Sequence, residues 1–220
     1  MSVAGCGQGG DTSDGASDET PSAEASSEAP KPVTAIGGGE LVKAAMPAED
    51  SPLLEGYEAQ IGPESLDPSE KQPLEACADV AANDDAVAAY IAYYEGPRPD
   101  TDLYAHAYNA DAVAVLAELK STWDDECDPY ELDDDGDPVT VERLFEAPAP
   151  EGVPEERWAA DCAQLTFTSD GNDALAWCTA MVAVGDHVIL RIRTSGPYTE
   201  AEGYAERMGA IAKEVLAAQE

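Results

Sequence analysis

The sequence predicts an α+β fold, an antiparallel β-sheet with helices packed on one face and two disulfides. Segments with alternating apolar residues outnumber segments with helical periodicity, and many of them follow one another as hairpins. No regular β-α-β rhythm runs along the 220 residues, so a parallel sheet is disfavoured. Four cysteines lie within the predicted folded part, which is the number that two disulfides need.

Composition divides the chain into three parts. Residues 1–6 are similar to the end of a signal peptide, and residues 7–38 are almost entirely Gly, Ser, Asp, Glu, Thr, Ala and Pro. This acidic linker has too few large apolar side chains to offset the entropy of ordering, so it is predicted to be disordered. Residues 39–220 carry the periodicity of one globular domain.

Four helices are predicted from apolar periodicity and capping residues. They cover 39–46 (ended by Pro47), 69–80, about 15 residues capped by Asn109, and 199–218. The last helix opens with the capping box Thr199-x-x-Glu202. The apolar stripes of the two long helices are Ala112, Leu116, Leu119 and Trp123, and Tyr204, Met208, Ile211 and Val215.

Strands are predicted over 86–94, 102–108, 138–146, 160–168, 174–184 and 186–194, with a shorter one near the end of 53–61. The alanines of 86–94 leave a helix open there. In the second strand Tyr104, His106 and Tyr108 share one face. In the last strand Val188, Leu190 and Ile192 alternate with Ile189, Arg191 and Arg193.

Hairpin register predicts one disulfide. If the Ser-Asp-Gly segment at 169–171 forms a three-residue loop with glycine in the left-handed position, Cys162 lies opposite Cys178. Directly opposed Cβ atoms are about 4.5–5.5 Å apart, close to disulfide range. Cys77 and Cys127 then remain as the second pair. Four buried free thiols are the alternative interpretation.

The fifth cysteine, Cys6, follows Val-Ala-Gly, which is similar to the end of a bacterial lipobox. We expect a lipid on Cys6 to anchor the domain to the outer face of the cell membrane, with residues 1–6 being the end of the signal peptide. A chance cysteine in an ordinary N-terminus is the alternative. No segment approaches the roughly 20 apolar residues of a transmembrane helix, so the lipid is the expected membrane contact.

The charge balance disfavours polyanionic partners. The chain has 46 acidic and 11 basic residues, a formal net charge of −35, and nucleic acids and anionic membranes would repel it. No nucleophile elbow, phosphate-binding glycine loop or H-E-x-x-H motif is present, and there are two histidines. We therefore expect no enzymatic activity and no cofactor.

Two groups of residues are candidate binding sites. Five tyrosines, Tyr90, Tyr93, Tyr94, Tyr104 and Tyr108, with Arg191 and Arg193, are candidates for a cleft that binds a small or anionic ligand. The alternative is ordinary sheet packing, with the arginines neutralising nearby carboxylates. Asp133, Asp135 and Glu142 fall at EF-hand-like positions, but an acidic hairpin explains the same spacing, so no metal site is predicted there.

Several segments together resemble a known family. They are "LLEGY", Cys77 in a helix, Cys127 after "LKSTWDDE", Cys162 and Cys178 in strands, and "AEGYAERMGAIAKEVL". Over about residues 40–218 they resemble the actinobacterial sensor domain found outside the membrane in PknH-type receptor kinases and in free lipoproteins. The resemblance implies an antiparallel sheet flanked by helices, disulfides Cys77–Cys127 and Cys162–Cys178, and a central cleft for an unidentified ligand.

The expected function is therefore that of a cell-surface lipoprotein whose extracytoplasmic domain senses or binds a ligand. The alternative is a structural or protein-interaction module of the envelope that binds no small ligand. The corresponding partners are an unknown small molecule or an envelope protein.

Overall fold

The computed structural model describes residues 33, 35–63, 86–95, 100–126, 130–134, 137–167 and 174–219. These residues lie in one compact unit, Lys31–Glu220. Cys6, Cys77, Cys127 and the helix predicted over 69–80 lie outside the described residues.

Three α-helices and eight strands are present in the described part of the chain. The helices are α1 (Ala35–Ala44), α2 (Ala112–Glu126) and α3 (Ala201–Ala217). The strands are β1 (Glu58–Pro63), β2 (Ala86–Glu95), β3 (Asp100–Tyr108), β4 (Tyr130–Asp134), β5 (Asp137–Glu146), β6 (Trp158–Phe167), β7 (Ala174–Val184) and β8 (Val188–Pro197).

All eight strands form one sheet in the order β1-β2-β3-β8-β7-β6-β5-β4, and every neighbouring pair is antiparallel. The α+β class with an antiparallel sheet is thus confirmed. The alanine-rich segment 86–94 is a strand, because its residues pair with β1 on one side and β3 on the other. Alanine fits this position because helix α1 packs closely over β2 and β3.

One face of the sheet, which we call the α1–α3 face, holds the main core. Its central residues are Leu103, Ala105 and Ala107 of β3 and Val188, Leu190 and Ile192 of β8. Helix α1 covers it with Val42, Ala45 adds to this cover just after the helix ends, and α3 covers it with its predicted stripe Tyr204, Met208, Ile211 and Val215. Full burial of such side chains contributes about 1.5–3 kcal/mol each.

The opposite face, which we call the α2 face, carries the alternate residues of the same strands. Helix α2 packs on one end of it, where Leu116 and Leu119 contact a cluster that includes Tyr108, Met181 and Ile189. The prediction that all helices pack on one face is therefore wrong. The physical reason is that β7 and β8 are apolar on both faces at this end, so both faces need cover.

The β6–β7 hairpin confirms the predicted register. Cys162 pairs with Cys178 in the ladder, and the two sulfurs form a disulfide with a Cα–Cα distance of 4.0 Å. Both cysteines are completely buried on the α1–α3 face. One of the two predicted disulfides is thus confirmed, and the predicted Cys77–Cys127 pair lies outside the described residues.

Both predicted helix caps are wrong. Asp111, not Asn109, caps α2, since its Oδ1 accepts a hydrogen bond from the Ala114 N–H at 3.1 Å. Asn109 Oδ1 accepts from the Val33 N–H at 2.7 Å instead. Helix α3 follows a 3₁₀ turn over Tyr198–Glu200, so its N-cap residue is Glu200, whose side chain makes no cap hydrogen bond.

The boundary between the linker and the folded domain lies earlier in the chain than composition predicts. Helix α1 begins at Ala35, so residues 35–38, which composition assigns to the linker, belong to the first helix. A buried glycine in this stretch explains why composition is a poor guide: a Cβ on Gly38 would lie 2.9 Å from the Ala88 Cβ. Small residues here let α1 approach β2 closely.

Replacing Gly196 of β8 with alanine is expected to destabilise the protein by about 1–3 kcal/mol. A Cβ at Gly196 would overlap the Tyr204 hydroxyl, and Tyr204 is buried at 2% exposure, so α3 or its ring must shift. Gly62→Ala in β1 is the matched control, because no atom lies within 4 Å of its added Cβ. The free energy of unfolding of each variant, measured by urea denaturation, checks this prediction. Equal losses for both variants would contradict the close approach of α3 to the sheet.

An ion pair between Lys120 of α2 and Glu146 of β5, with a Nζ–Oε1 distance of 2.7 Å, predicts a pH dependence. The hydrogen bond from Lys120, and then its charge, lower the pKa of Glu146. A lowered folded pKa stabilises the protein above the unfolded value, and this contribution is lost as pH falls through the folded pKa. Both side chains are largely exposed, so the contribution is small.

Lys120→Met is therefore expected to raise the pKa of Glu146 towards its usual value. Carboxyl ¹³C shifts followed through an acid titration measure this directly. Lys213→Met, which removes an exposed lysine from α3, should leave the titration of Glu146 unchanged. A Glu146 pKa that is the same in wild type and Lys120→Met would show that this ion pair does not form.

Among the described residues, none of the helices combines the length and the apolar character that crossing a membrane requires.

Candidate functional site

The middle of the α2 face, beyond the part under α2, is a polar and aromatic surface. Strand register brings its residues together, because Tyr104 of β3 lies opposite Arg191 of β8 and Asp102 lies opposite Arg193. Trp177 of β7 lies two residues before Thr179, on the same face, and Thr179 pairs with Arg193. Tyr93 of β2 pairs with Asp102. We call these six residues the Tyr104 cluster: Tyr93, Asp102, Tyr104, Trp177, Arg191 and Arg193.

The Tyr104 ring is the centre of this cluster. The Arg191 guanidinium carbon lies 3.9 Å from the ring centroid and that of Arg193 lies 5.2 Å from it. Both distances are within cation–π range, and such contacts are stronger where water is excluded. Tyr104 is 1% exposed and Arg191 is 7% exposed, so this stacking takes place in a buried setting.

Arg193 is held from several sides. Its Nε and Nη2 donate to Asp102 Oδ2 at 2.9 and 2.6 Å, and Nη2 also donates to the Tyr104 hydroxyl at 2.8 Å. Its guanidinium carbon also lies 4.8 Å from the Trp177 ring centroid. These contacts fix the plane of the guanidinium.

A second ion pair continues the polar surface towards β5. Arg143 Nε lies 3.2 Å from Asp161 Oδ2. In the strand register Asp161 of β6 lies opposite Thr179 of β7, and Thr179 lies opposite Arg193 of β8. Three of the six arginines of the chain therefore lie on this face, although the chain has only 11 basic residues against 46 acidic ones. This concentration makes the face distinct from an otherwise acidic molecule.

The structure brings together only some of the predicted binding residues. Tyr104, Arg191 and Arg193 are in mutual contact on the α2 face. Tyr108 lies on the same face but is buried under α2. Tyr90 and Tyr94 point to the α1–α3 face, because strand alternation places them opposite to Ile91 and Tyr93. Burial, with smaller effects of Tyr90 and Glu49, raises the pKa of Tyr94.

Asp102 and Trp177 belong to the cluster but were not among the predicted site residues. Their signal is cross-strand position: Asp102 lies two residues before Tyr104, and Trp177 lies one residue before Cys178 on the opposite face. Tyr93 completes the aromatic set, with its ring edge towards Tyr104 at 6.0 Å between centroids.

The acidic segment that resembles an EF-hand loop has the backbone of a β-hairpin. β4 and β5 pair directly, with Asp133 opposite Pro138, whereas an EF-hand loop runs between two helices. Glu142 lies on β5 opposite Gln164, and Asp135 lies outside the described residues. No group of three or more potential metal ligands occurs in the part of the chain that was described.

Comparison with known proteins supports the fold. No protein-family model matches the chain, and no curated protein matches it. The crystal structure of the extracellular domain of PknH from Mycobacterium tuberculosis is similar, with a TM-score of 0.51 and 13% identity over 84% of this chain and 97% of that one. An uncharacterized protein from Mycobacterium smegmatis, the Rv0999 ortholog, gives a TM-score of 0.40 and 13% identity over 74% and 90%.

At 13% identity, the likeness to the PknH extracellular domain shows a shared fold. The fold that the sequence resemblance implies is thereby confirmed.

Proposed function

We propose that this chain is an extracytoplasmic ligand-binding domain that senses a small molecule on the α2 face through the Tyr104 cluster. The observation that carries the proposal is the contact of Arg191 and Arg193 with one buried tyrosine ring. Basic residues are scarce in this chain, so two arginines on one tyrosine ring are not expected from composition alone. A preorganised cluster of cations and aromatic rings is typical of a binding site.

Location outside the cytoplasm is part of the same proposal. The Cys162–Cys178 disulfide supports it, because such bonds persist in oxidising compartments. The structure of similar fold is itself an extracellular domain. We further propose that Cys6 carries the lipid anchor, which predicts that Cys6→Ala releases the protein from the membrane fraction.

The proposed role is binding without catalysis. The sequence contains none of the common nucleophile or metal-hydrolase motifs, which supports this assignment. In such a domain the ligand signal passes to another protein.

Native mass spectrometry of the protein purified from its own host tests the proposal. A reproducible bound molecule is expected in wild type and should be lost in Tyr93→Ala, which removes the exposed edge of the cluster. Tyr198→Ala is the matched control, since Tyr198 has similar exposure (46% against 38%) but is not in the cluster. Retention of the molecule in Tyr93→Ala and its loss in Tyr198→Ala would refute the assigned site.

A partner-binding module of the envelope is the second candidate function. Strand β1 supports it, because it is an edge strand of the described sheet and Ile61 on it is 47% exposed. Exposed edges can add a strand from a partner. The same mass spectra decide between the two functions: a clean unliganded mass with a co-purifying protein favours the partner.

A further inference from the structure

Trp177 adds a buried indole N–H donor to the Tyr104 cluster. Its indole Nε1 is buried, yet within the described ranges it donates to no acceptor. A buried donor that lacks an acceptor destabilises the folded protein, so such groups usually bind water or a ligand. Trp158 behaves differently, since its Nε1 donates to the Ala147 carbonyl at 2.9 Å.

The position of this indole relative to Arg193 indicates which class of ligand group the site favours. The Arg193 guanidinium carbon lies 4.8 Å from the Trp177 ring centroid, so an acceptor bound to the indole edge also lies in the field of that cation. A buried acceptor beside a fixed guanidinium is favoured most when it carries negative charge, because charge-assisted hydrogen bonds are about twice as strong as neutral ones.

The net charge of the whole chain also indicates that an anion would bind on the α2 face rather than elsewhere. A net charge of −35 repels anions from most of the surface. On the α2 face Arg143, Arg191 and Arg193 lie beside Asp102 and Asp161, so three cations face two carboxylates there and an anion is repelled less than it is over purely acidic surface. The aromatic rings of Tyr93, Tyr104 and Trp177 add apolar surface around it.

We propose that the ligand of the Tyr104 cluster carries a carboxylate or phosphate group, whose oxygen accepts from the Trp177 indole N–H beside the Arg193 guanidinium. This inference depends on the proposed function, because it assigns the ligand class of the same site. Asp102 and the Tyr104 hydroxyl position Arg193 and keep it in place when the site is empty. Water or a neutral hydroxyl at the indole is the competing occupant.

Titration of the full chain with sodium acetate, sodium phosphate and hexyl phosphate, at ionic strength matched with sodium chloride, tests the proposal. The readout is the indole ¹H–¹⁵N resonance of Trp177, with that of Trp158 as the internal control. We expect a saturable shift of the Trp177 resonance alone. A higher affinity for hexyl phosphate than for inorganic phosphate identifies a lipid-like ligand, and equal affinities identify a soluble anion.

Two variants separate binding from unfolding. Trp177→Phe keeps an aromatic ring over Arg193 but removes the donor, and Arg193→Lys keeps the charge but removes the planar fork. Each is expected to weaken anion binding about tenfold or more, measured by isothermal titration calorimetry because Trp177→Phe has no Trp177 resonance, while leaving the Trp158 resonance in place. Linear shifts, or equal shifts at both tryptophans, overturn the proposal.

The failure of this inference is distinguishable from failure of the proposed function. If native mass spectrometry finds a bound neutral molecule and none of the three anions shifts Trp177, the ligand class is wrong but the site stands. If no small molecule is bound in any preparation and no anion shifts Trp177, both fail.

Discussion

Replacing Cys162 and Cys178 together with alanine is expected to lower the free energy of unfolding by about 3 kcal/mol. The bond joins residues 16 apart in sequence, and in the chain-entropy model a loop of this size limits the unfolded chain by about that amount. Both side chains are fully buried beneath α3, so the truncated sulfurs also leave space in the core.

Urea unfolding with and without reductant measures this loss. Wild type should lose stability on reduction, whereas the double variant has no bond left in the β6–β7 hairpin. A further loss in the reduced double variant would therefore report the predicted Cys77–Cys127 bond. Unchanged stability of the double variant under oxidising conditions would show that the hairpin disulfide contributes little.

Removing Asp102 is expected to destabilise the protein by about 2 kcal/mol, more than removing its partner Arg193. The carboxylate accepts two hydrogen bonds from Arg193, and the side chains are only 22% and 16% exposed. Loss of Asp102 leaves a largely desolvated cation, whose cost exceeds the modest net value of the pair itself.

A double-mutant cycle checks this pair, using Asp102→Ala, Arg193→Ala and the combined variant. We expect a coupling of about 1–3 kcal/mol, because the two side chains are in direct contact. The matched pair Lys120→Ala and Glu146→Ala, which is mostly exposed, should couple by less than about 1 kcal/mol. Equal coupling in both cycles would mean that the Tyr104 cluster is as solvated as the surface.

Much of the sheet can be predicted from local pattern. The alternation of Val188, Leu190 and Ile192 with Ile189, Arg191 and Arg193 predicts both faces of β8 correctly, since side chains in a strand alternate with period two. The Ser-Asp-Gly loop between β6 and β7 predicts the register and hence the Cys162–Cys178 bond. Both predictions depend only on residues that lie close together in the sequence.

The position of α2 could not be predicted in the same way. Its stripe indicates an amphipathic helix, but the face that it covers depends on Met181, Ala183 and Ile189, which come from strands far along the chain. The cap position fails for a local reason, because Asp111 and Asn109 are both good N-cap residues and backbone geometry selects between them.

The candidate site was only partly predictable for the same reason. Tyr104 and Arg193 stand out as residue types, but their contact depends on the pairing of β3 with β8, 89 residues apart in sequence. Tyr90 and Tyr94 look equivalent to Tyr104 by type, and only the register of β2 turns them to the other face.

The most direct test of the account is a crystal structure of the protein together with the molecule that co-purifies from its host. We expect the molecule to lie on the α2 face in contact with Tyr104, Arg191 and Arg193, with an oxygen at Trp177 Nε1. A molecule seated on the α1–α3 face, or one that contacts none of these residues, would contradict it.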